Sequence, residues 1–440
     1  MKKAELKQIV CAAIDKRAAE VTAIADYMLH NPELGYKELK AAALVEEKFA
    51  ALGLDYRAGL AVTGLKSRLP GRRSKLSVAV MGEMDAVVCH DHPYADSKTG
   101  AAHSCGHNAQ TAMMVGVAMG LVDSGVMNEL DGDVVFFALP AEEFVELDYR
   151  QQLRREGKIR FLGGKQELIE LGELDDIDMA MMCHTATDTP ERHMLIPRAG
   201  IGSNGFIGKL IKYIGTEAHA GGAPHEGVNA LNAAMLGLMG IHANRETFRD
   251  VDAIRVHPII TKGGDLVNIT PADVRIETYV RGRSIAAIMD ASHKVNRALQ
   301  AGAIAIGAEV IIDEIPGYLP LLNDQKMASL FAANCVELLG VDGVLPGEPM
   351  AGSTDMGDIT HIMPGIHPMV GGVAGRGHAR DYMIVDPDMA YIVPAKAMAM
   401  TVIDLLYDDA ALGRAIKDQF KPTMTKESYL AMWESLLGEK

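Results

Sequence analysis

Three apolar stretches constrain this chain more than anything else in it: LSVAVMGEMDAVV (76–88), DVVFFALPAEE (133–143) and MAMMCH (179–184). Each runs without polar alternation and ends in acidic or histidine residues. A strand buried on both faces reads as such a run, because helices cover the sheet on either side. Between the first two lies NAQTAMMVGVAMGLVDSGV (108–126), rich in small residues and methionine, which reads as a helix. Residues 5–52 also read as helices, with Ile9, Ala12, Ile14, Ala18, Val21, Ile24 and Met28 at helical spacing. Strand, helix and strand in alternation predict an α/β domain, a mainly parallel central sheet flanked by helices. Ligands in such sheets bind beyond the C-terminal ends of the strands, where the acidic and histidine residues stand.

From Gly202 the texture changes. FIGKLIKYIGT (206–216), DAIRVHPIITKGG (252–264) and DVRIETYVRG (273–282) alternate apolar and polar residues, and two helical stretches, from 227 to 242 and from 286 to about 305, interleave with them. Strands with one wet face plus helices predict a separate α+β domain. Buried-strand texture returns near Gly365 (GIHPMVGG), so the smaller domain is read as inserted into the larger. The expected boundaries are 1–200 and 312–440 for the larger domain and 201–311 for the smaller, and a chain of 440 residues is long enough for two cores. The charged stretch FVELDYRQQLRREGKIRFLGGKQ (144–166) reads as a loop or short helix at the rim of the site.

A formal net charge of -15 argues against nucleic-acid or anionic-membrane partners, which need a basic face. The longest near-apolar run is taken as Ala112–Val122, too short to span a bilayer. The N-terminal MKKAELKQIVCAAIDKRAAE has no apolar h-region, and five scattered cysteines make no disulfide framework, so a reduced, cytoplasmic protein is expected.

HSCGHN (103–108) puts Cys105 and His107 on either side of a glycine, which lets the backbone turn so that thiolate and imidazole converge on one ion. Alone, the pattern suits a surface histidine beside a buried cysteine equally well. PAEE (140–143) sets Glu142 and Glu143 after a buried strand, where two carboxylates are costly without a cation or a proton. One can bind metal while the other takes a proton from water. His184 ends the third stretch and His378 lies in the Gly-rich loop GVAGRGHARDY; Asp85 can orient a ligand histidine from behind. Individually each has an ordinary structural reading, as a cap, a turn or a solvated loop. Jointly, a cysteine, three histidines and a glutamate pair at strand ends fit one or two metal ions with an activated water.

HSCGHNAQTAM, PAEE, AHAGGAPHEGVNAL, GGDLVNITPADVRIETYVRG and AGSTDMGD occur in that order. Together they resemble the amidohydrolase branch of the aminoacylase/carboxypeptidase superfamily of co-catalytic metallopeptidases. This branch holds p-aminobenzoyl-glutamate hydrolase, hippurate hydrolase and indoleacetyl-amino-acid hydrolases. The resemblance runs from about His30–Glu38 to His378. It implies a bridging Cys105, ligands His107, Glu143, His184 and His378, Glu142 as general base and Asp85 behind the ligands. It also implies that His219 of the smaller domain, supplied by the partner subunit of a homodimer, stabilises the oxyanion. Asn268 and Arg281 would hold the substrate carboxylate, and a planar guanidinium suits that role. Three departures stand out: the long 144–166 stretch, Ala379-Arg380-Asp381 after His378, and Glu83 where many superfamily members carry a ligand histidine. Glu83 is therefore not assigned as a ligand.

The expected activity is hydrolysis of the amide bond of an N-acyl amino acid or a small peptide-like conjugate, with two divalent ions per subunit. Mn²⁺ and Zn²⁺ lead; Co²⁺ and Ni²⁺ also suit these donors. A dipeptidase or carboxypeptidase of the same superfamily and an aminopeptidase are the nearest alternatives. A thiol hydrolase using Cys105 and His107, or a non-catalytic binding homologue, would be of another class.

Overall fold

The computed structural model describes residues 1–198 and 200–437. The chain divides into two compact units, each described in its own right.

In the larger unit a six-stranded sheet runs in the order Tyr56–Leu60, Gly64–Leu69, Asp133–Leu139, Ser77–Glu83, Met179–Met181, Gly365–Ile366. The last four are mutually parallel; the first two pair antiparallel at one edge. Every residue of Ser77–Glu83 and Asp133–Leu139 is buried, which is why those segments read as unbroken apolar runs. Helix His107–Ser124 packs on Lys3–His30, Val393–Gln419 and the strand Ser77–Glu83. Its glycines make that approach close: a Cβ on Gly120 would come within 2.4 Å of Ile14. The parallel strands end together, and the chain just beyond them carries Asp85, Glu142, Glu143 and His184.

Two sequence expectations change here, and a third is qualified. MAMMCH is not one strand: Met179–Met181 stays in the central sheet, while His184–Thr185 forms a separate short strand beside Met369–Val370. Ala112–Val122 is the longest unbroken apolar run, as read, but a longer helix interrupted by Lys396 and Asp404 also has a membrane-like composition. The segment from Asp388 to Gln419 is long and apolar enough to cross a membrane, but 94% of its most apolar window is buried within the protein. Finally, the stretch after Phe144 does form short helices, Leu147–Arg155 and Gly164–Glu170, but its Arg150 and Lys165 are wholly buried and do not stand at a solvated rim.

The smaller unit spans 203–321 and 350–357, with the C-terminal segment from Glu427. Strands Arg255–Val256, Asp273–Gly282, Gly205–Ile214 and Glu309–Pro316 form an antiparallel sheet, and Ile259–Lys262 pairs along Asp273–Gly282 as well. Helices Ala230–Ala243 and Ile285–Ile306 pack on each other and on this sheet. The boundary expected at 311 falls inside a strand. Ile312–Pro316 pair residue for residue with Ile207–Ile211, so the chain through Leu321 belongs to the smaller unit. The C-terminal helix Lys426–Leu436 mostly joins that unit too, with Tyr429 and Trp433 buried.

Candidate active site

The site is assembled on the larger unit. Gly106 takes a left-handed conformation (φ +95°) that a side chain would strain. A Cβ there would also meet the Thr185 and Tyr382 hydroxyls at 2.1 and 2.4 Å. The turn it permits brings Cys105 alongside His107, the first residue of its helix. His107 Nδ1 lies 2.9 Å from the Asp85 carbonyl and 3.1 Å from Asp85 Oδ1. Both are acceptors, so Nδ1 carries a proton and Nε2 is the nitrogen left to face the pocket. His184 repeats the device, its Nδ1 lying 2.5 Å from the Thr185 carbonyl. Its Nε2 is 3.4 Å from Cys105 Sγ, and the His107 and His184 rings stand perpendicular with centroids 5.7 Å apart.

The donor atoms of Cys105, His107 and His184 all lie within 4.8 Å of one another, and so do those of Cys105, Glu143 and His378. Cys105 is common to both groups. His378 reaches the site from its loop in a left-handed conformation (φ +58°), its backbone N–H donating to the Ser104 carbonyl at 2.8 Å. Its Nε2 is 3.1 Å from Glu143 Oε1.

The glutamate pair stands on a strained turn. Ala141 has φ +55°, a conformation that costs about 1–2 kcal/mol for an L-residue. Its N–H donates to the buried Glu38 carboxylate at 2.8 Å, and its carbonyl accepts from Gly164 N–H at 3.1 Å. Arg150 donates to the carbonyls of Glu143, Ala141 and Leu162. Asp85, fully buried, accepts the Glu143 N–H on Oδ2 at 2.8 Å while Oδ1 faces His107. One carboxylate thus fixes both a histidine and the glutamate loop. Glu142 Oε2 comes within 3.9 Å of His107 Nε2.

Electrostatics follow from this crowding. Burial and the Glu143 carboxylate push the Cys105 thiol up, but His107 and His184 outweigh them and bring it down to about 6. Burial would likewise raise Glu143, yet His378 and His107 hold it down to about 2. His378 is raised to about 11 by its contacts with Cys105 and Glu143. A thiolate, carboxylates and imidazoles in one pocket suit divalent late first-row cations. His107 Nε2 adds a specific sign of fit: it is buried and faces Glu83 Oε2 at 3.2 Å and Glu142 Oε2 at 3.9 Å, an anionic surrounding that suits a cation.

His219, Asn268 and Arg281 belong to the smaller unit. His219 is exposed, and its Nδ1 accepts the backbone N–H of Gly221 and Gly222 at 3.2 and 3.0 Å. The ring proton is therefore on Nε2, the nitrogen left to donate outward. The Asn268 carbonyl accepts Ala220 N–H at 2.9 Å, which ties the two loops together. Arg281 lies over the rings of Phe206 and Tyr279, with Nη1 donating to Ser353 Oγ at 3.0 Å.

Sequence reasoning passed over Glu38, Arg150 and Lys165. The first lies in a mixed helical segment, the others in a stretch too polar to suggest burial. Only the GG before Lys165 gave a local signal. A Cβ on Gly164 would come within 1.8 Å of the Pro140 carbonyl, so this glycine lets the segment lie directly against the glutamate loop. Gly164→Ala is expected to destabilise the protein by about 1–3 kcal/mol through overpacking and to lower turnover along with it. Urea denaturation beside a rate assay measures both.

The sequence model of peptidase family M20/M25/M40 matches residues 79–399. A mouse protein named Xaa-Arg dipeptidase is 27% identical over 448 residues, covering 97% of this chain and 94% of its own length. An N-acyl-L-amino acid amidohydrolase of Geobacillus stearothermophilus is 25% identical over 334 residues, 73% of this chain and 82% of its own. Among solved structures, a Bacillus subtilis protein described as a dinuclear metal binding peptidase superposes with TM-score 0.67 at 20% identity, over 89% of this chain and 99% of that one. An aminobenzoyl-glutamate utilization protein from Klebsiella pneumoniae does so with TM-score 0.65 at 17% identity, over 89% and 97%.

Proposed function

The chain belongs to peptidase family M20/M25/M40 and is a metal-dependent hydrolase of amide or peptide bonds, and we propose that it cleaves N-acyl amino acids or small peptide-like conjugates with Glu142 as general base. One observation carries this reading. Two groups of donors share the Cys105 sulfur, and the Glu142 carboxylate stands beside them, 3.9 Å from His107 Nε2.

Cys105, His107 and His184 would hold one divalent cation, and Cys105, Glu143 and His378 a second, with Mn²⁺ or Zn²⁺ the leading candidates and Co²⁺ or Ni²⁺ also suited. Such cations supply Lewis acidity, lowering the pKa of a water and polarising the scissile carbonyl. Glu142 takes the proton of the attacking water and returns it to the leaving nitrogen. Asp85 keeps His107 in the tautomer that leaves Nε2 available, and through the Glu143 N–H it holds the glutamate loop in register. His219 offers Nε2–H to the oxyanion, and Asn268 and Arg281 hold the substrate carboxylate. Relatives named as an amidohydrolase of N-acyl-L-amino acids and as IAA-amino acid hydrolases support the acyl-amino-acid class. The mouse relative, matched over most of this chain, favours as a second reading a dipeptidase acting on Xaa-Arg dipeptides.

A homodimer through the smaller unit is part of the proposal. Met235, Leu236 and Met239 are exposed on helix Ala230–Ala243, and Ile259 and Ile260 on the strand Ile259–Lys262, apolar surface that a second copy would cover. A reducing, cytoplasmic setting is also part of the proposal.

The deciding experiment for the substrate reconstitutes apo-enzyme with each metal and screens N-acyl amino acids, p-aminobenzoyl-glutamate and dipeptides, including those ending in arginine. Hydrolysis confined to the dipeptides, whose N-terminal amine is free, would refute the acyl-amino-acid class. His219→Ala is expected to lower kcat by about 10²–10³-fold with metal content unchanged. If His219 acts across the dimer, equimolar mixing of this variant with Glu142→Ala restores about a quarter of wild-type turnover in the mixture, because about half of the dimers are heterodimers and each of those has one intact site; no recovery would place His219 in its own subunit's site or outside the reaction.

A further inference from the structure

Lys165 locates a residue of the site that the expected ligand set leaves out. It is fully buried, and its Nζ donates to Oε1 of Glu83, which is 1% exposed. Oε2 of Glu83 accepts the Gln110 side-chain amide at 2.7 Å and stands 3.2 Å from His107 Nε2. Asp85 occupies Nδ1, so Nε2 is the nitrogen turned toward Oε2, and at this distance a proton or a cation has to lie between them. A carboxylate oxygen of Glu83, one of Glu142 and His107 Nε2 all fall within 4.8 Å of one another, forming a third donor group in the same pocket. A buried Lys–Glu pair seldom adds stability over apolar residues of like volume. A carboxylate pinned by a lysine on one oxygen and an amide on the other is instead oriented to face a third partner.

We propose that Glu83 is a further oxygen donor to the divalent cation on the His107 side of the site, with Lys165 and Gln110 as positioning residues that aim it. This gives the buried cations of the 144–166 stretch distinct roles. Arg150 braces the carbonyls of the glutamate loop, and Lys165, just inside the following helix, aims a ligand. The proposal rests on the two-cation reading above. It differs from that reading in giving the His107 side an oxygen donor besides sulfur and nitrogen.

The test is a Co²⁺ titration of apo-protein, followed by calorimetry and by the visible spectrum, for wild type, Glu83→Gln and the double variant Glu83→Gln/Lys165→Met. The double variant removes both buried charges together, so no uncompensated charge is left behind to unfold it; the isosteric single variant is read in the same way. Wild type is expected to take up two equivalents. Both variants are expected to keep one equivalent at wild-type affinity and to bind the other about 10–100-fold more weakly, with an altered visible band. Two equivalents bound by the variants with wild-type affinity and spectrum would overturn the assignment of Glu83 alone. Fewer than two equivalents in the wild type would overturn the two-cation reading as well.

Discussion

Replacing Glu142 by alanine is expected to leave the metal content of the enzyme unchanged while lowering turnover by about 10²–10⁴-fold. The expectation follows from the position of this side chain. It belongs to neither of the two donor groups that share Cys105, yet its carboxylate lies 3.9 Å from a nitrogen of one of them. Its neighbour Glu143 occupies the ligand position, and its backbone is fixed by Asp85 and Arg150. The turn at Ala141 lets two adjacent glutamates serve one pocket, whereas in a continuing strand they would point to opposite faces. Removing the Glu142 carboxylate takes away the group that carries the proton from water to leaving nitrogen and leaves the ligands in place. Metal analysis by mass spectrometry beside a rate assay reads both quantities. Full activity in this variant would remove Glu142 as the base.

Cys105→Ala is expected to do what Glu142→Ala does not: to lose the metal along with the activity. The sulfur is common to both donor groups, so its loss weakens both sites at once. Lewis-acid stabilisation is worth several kcal/mol, so the rate should fall by about 10³-fold or more. Cys105→Asp, which restores an anionic ligand able to bridge, is expected to recover part of the metal and part of the rate. The pair separates a ligand role from a nucleophilic one. If Cys105 attacked the substrate with His107 as its base, chelation would leave the wild type active, alkylation of the thiol would abolish activity, and the aspartate variant would be dead.

Much of this site could be read from the chain because its parts are local. Cys105, Gly106 and His107 are consecutive, and the constraint that joins them is a single left-handed glycine. Glu142 and Glu143 follow a fully buried strand, so their cost is visible without a structure. His184 was found for a partly mistaken reason: it begins its own short strand instead of ending a strand of the central sheet. What escaped were residues whose partners are distant in sequence. Lys165 meets Glu83 across 82 positions, and Glu38 meets Ala141 across 103. A charged residue in a charged stretch reads as solvated until the fold supplies its counter-ion. The boundary near 311 slipped because Glu309–Pro316, half exposed, carries less apolar signal than the pairing that holds it. The long apolar helix after Asp388 was overlooked because Lys396 and Asp404 interrupt its run, and both find ion-pair partners, Asp15 for the first and Lys3 and Lys7 for the second.

The most direct measurement is anomalous diffraction from crystals of the Mn²⁺-loaded protein. Two peaks are expected in each subunit, both at bonding distance, about 2.0–2.6 Å, from the sulfur of Cys105, one shared with His107 and His184 and the other with Glu143 and His378. A cation bound elsewhere, or crystals soaked in Mn²⁺ whose Cys105 sulfur has no peak beside it, would contradict the metal centre and the chemistry built on it.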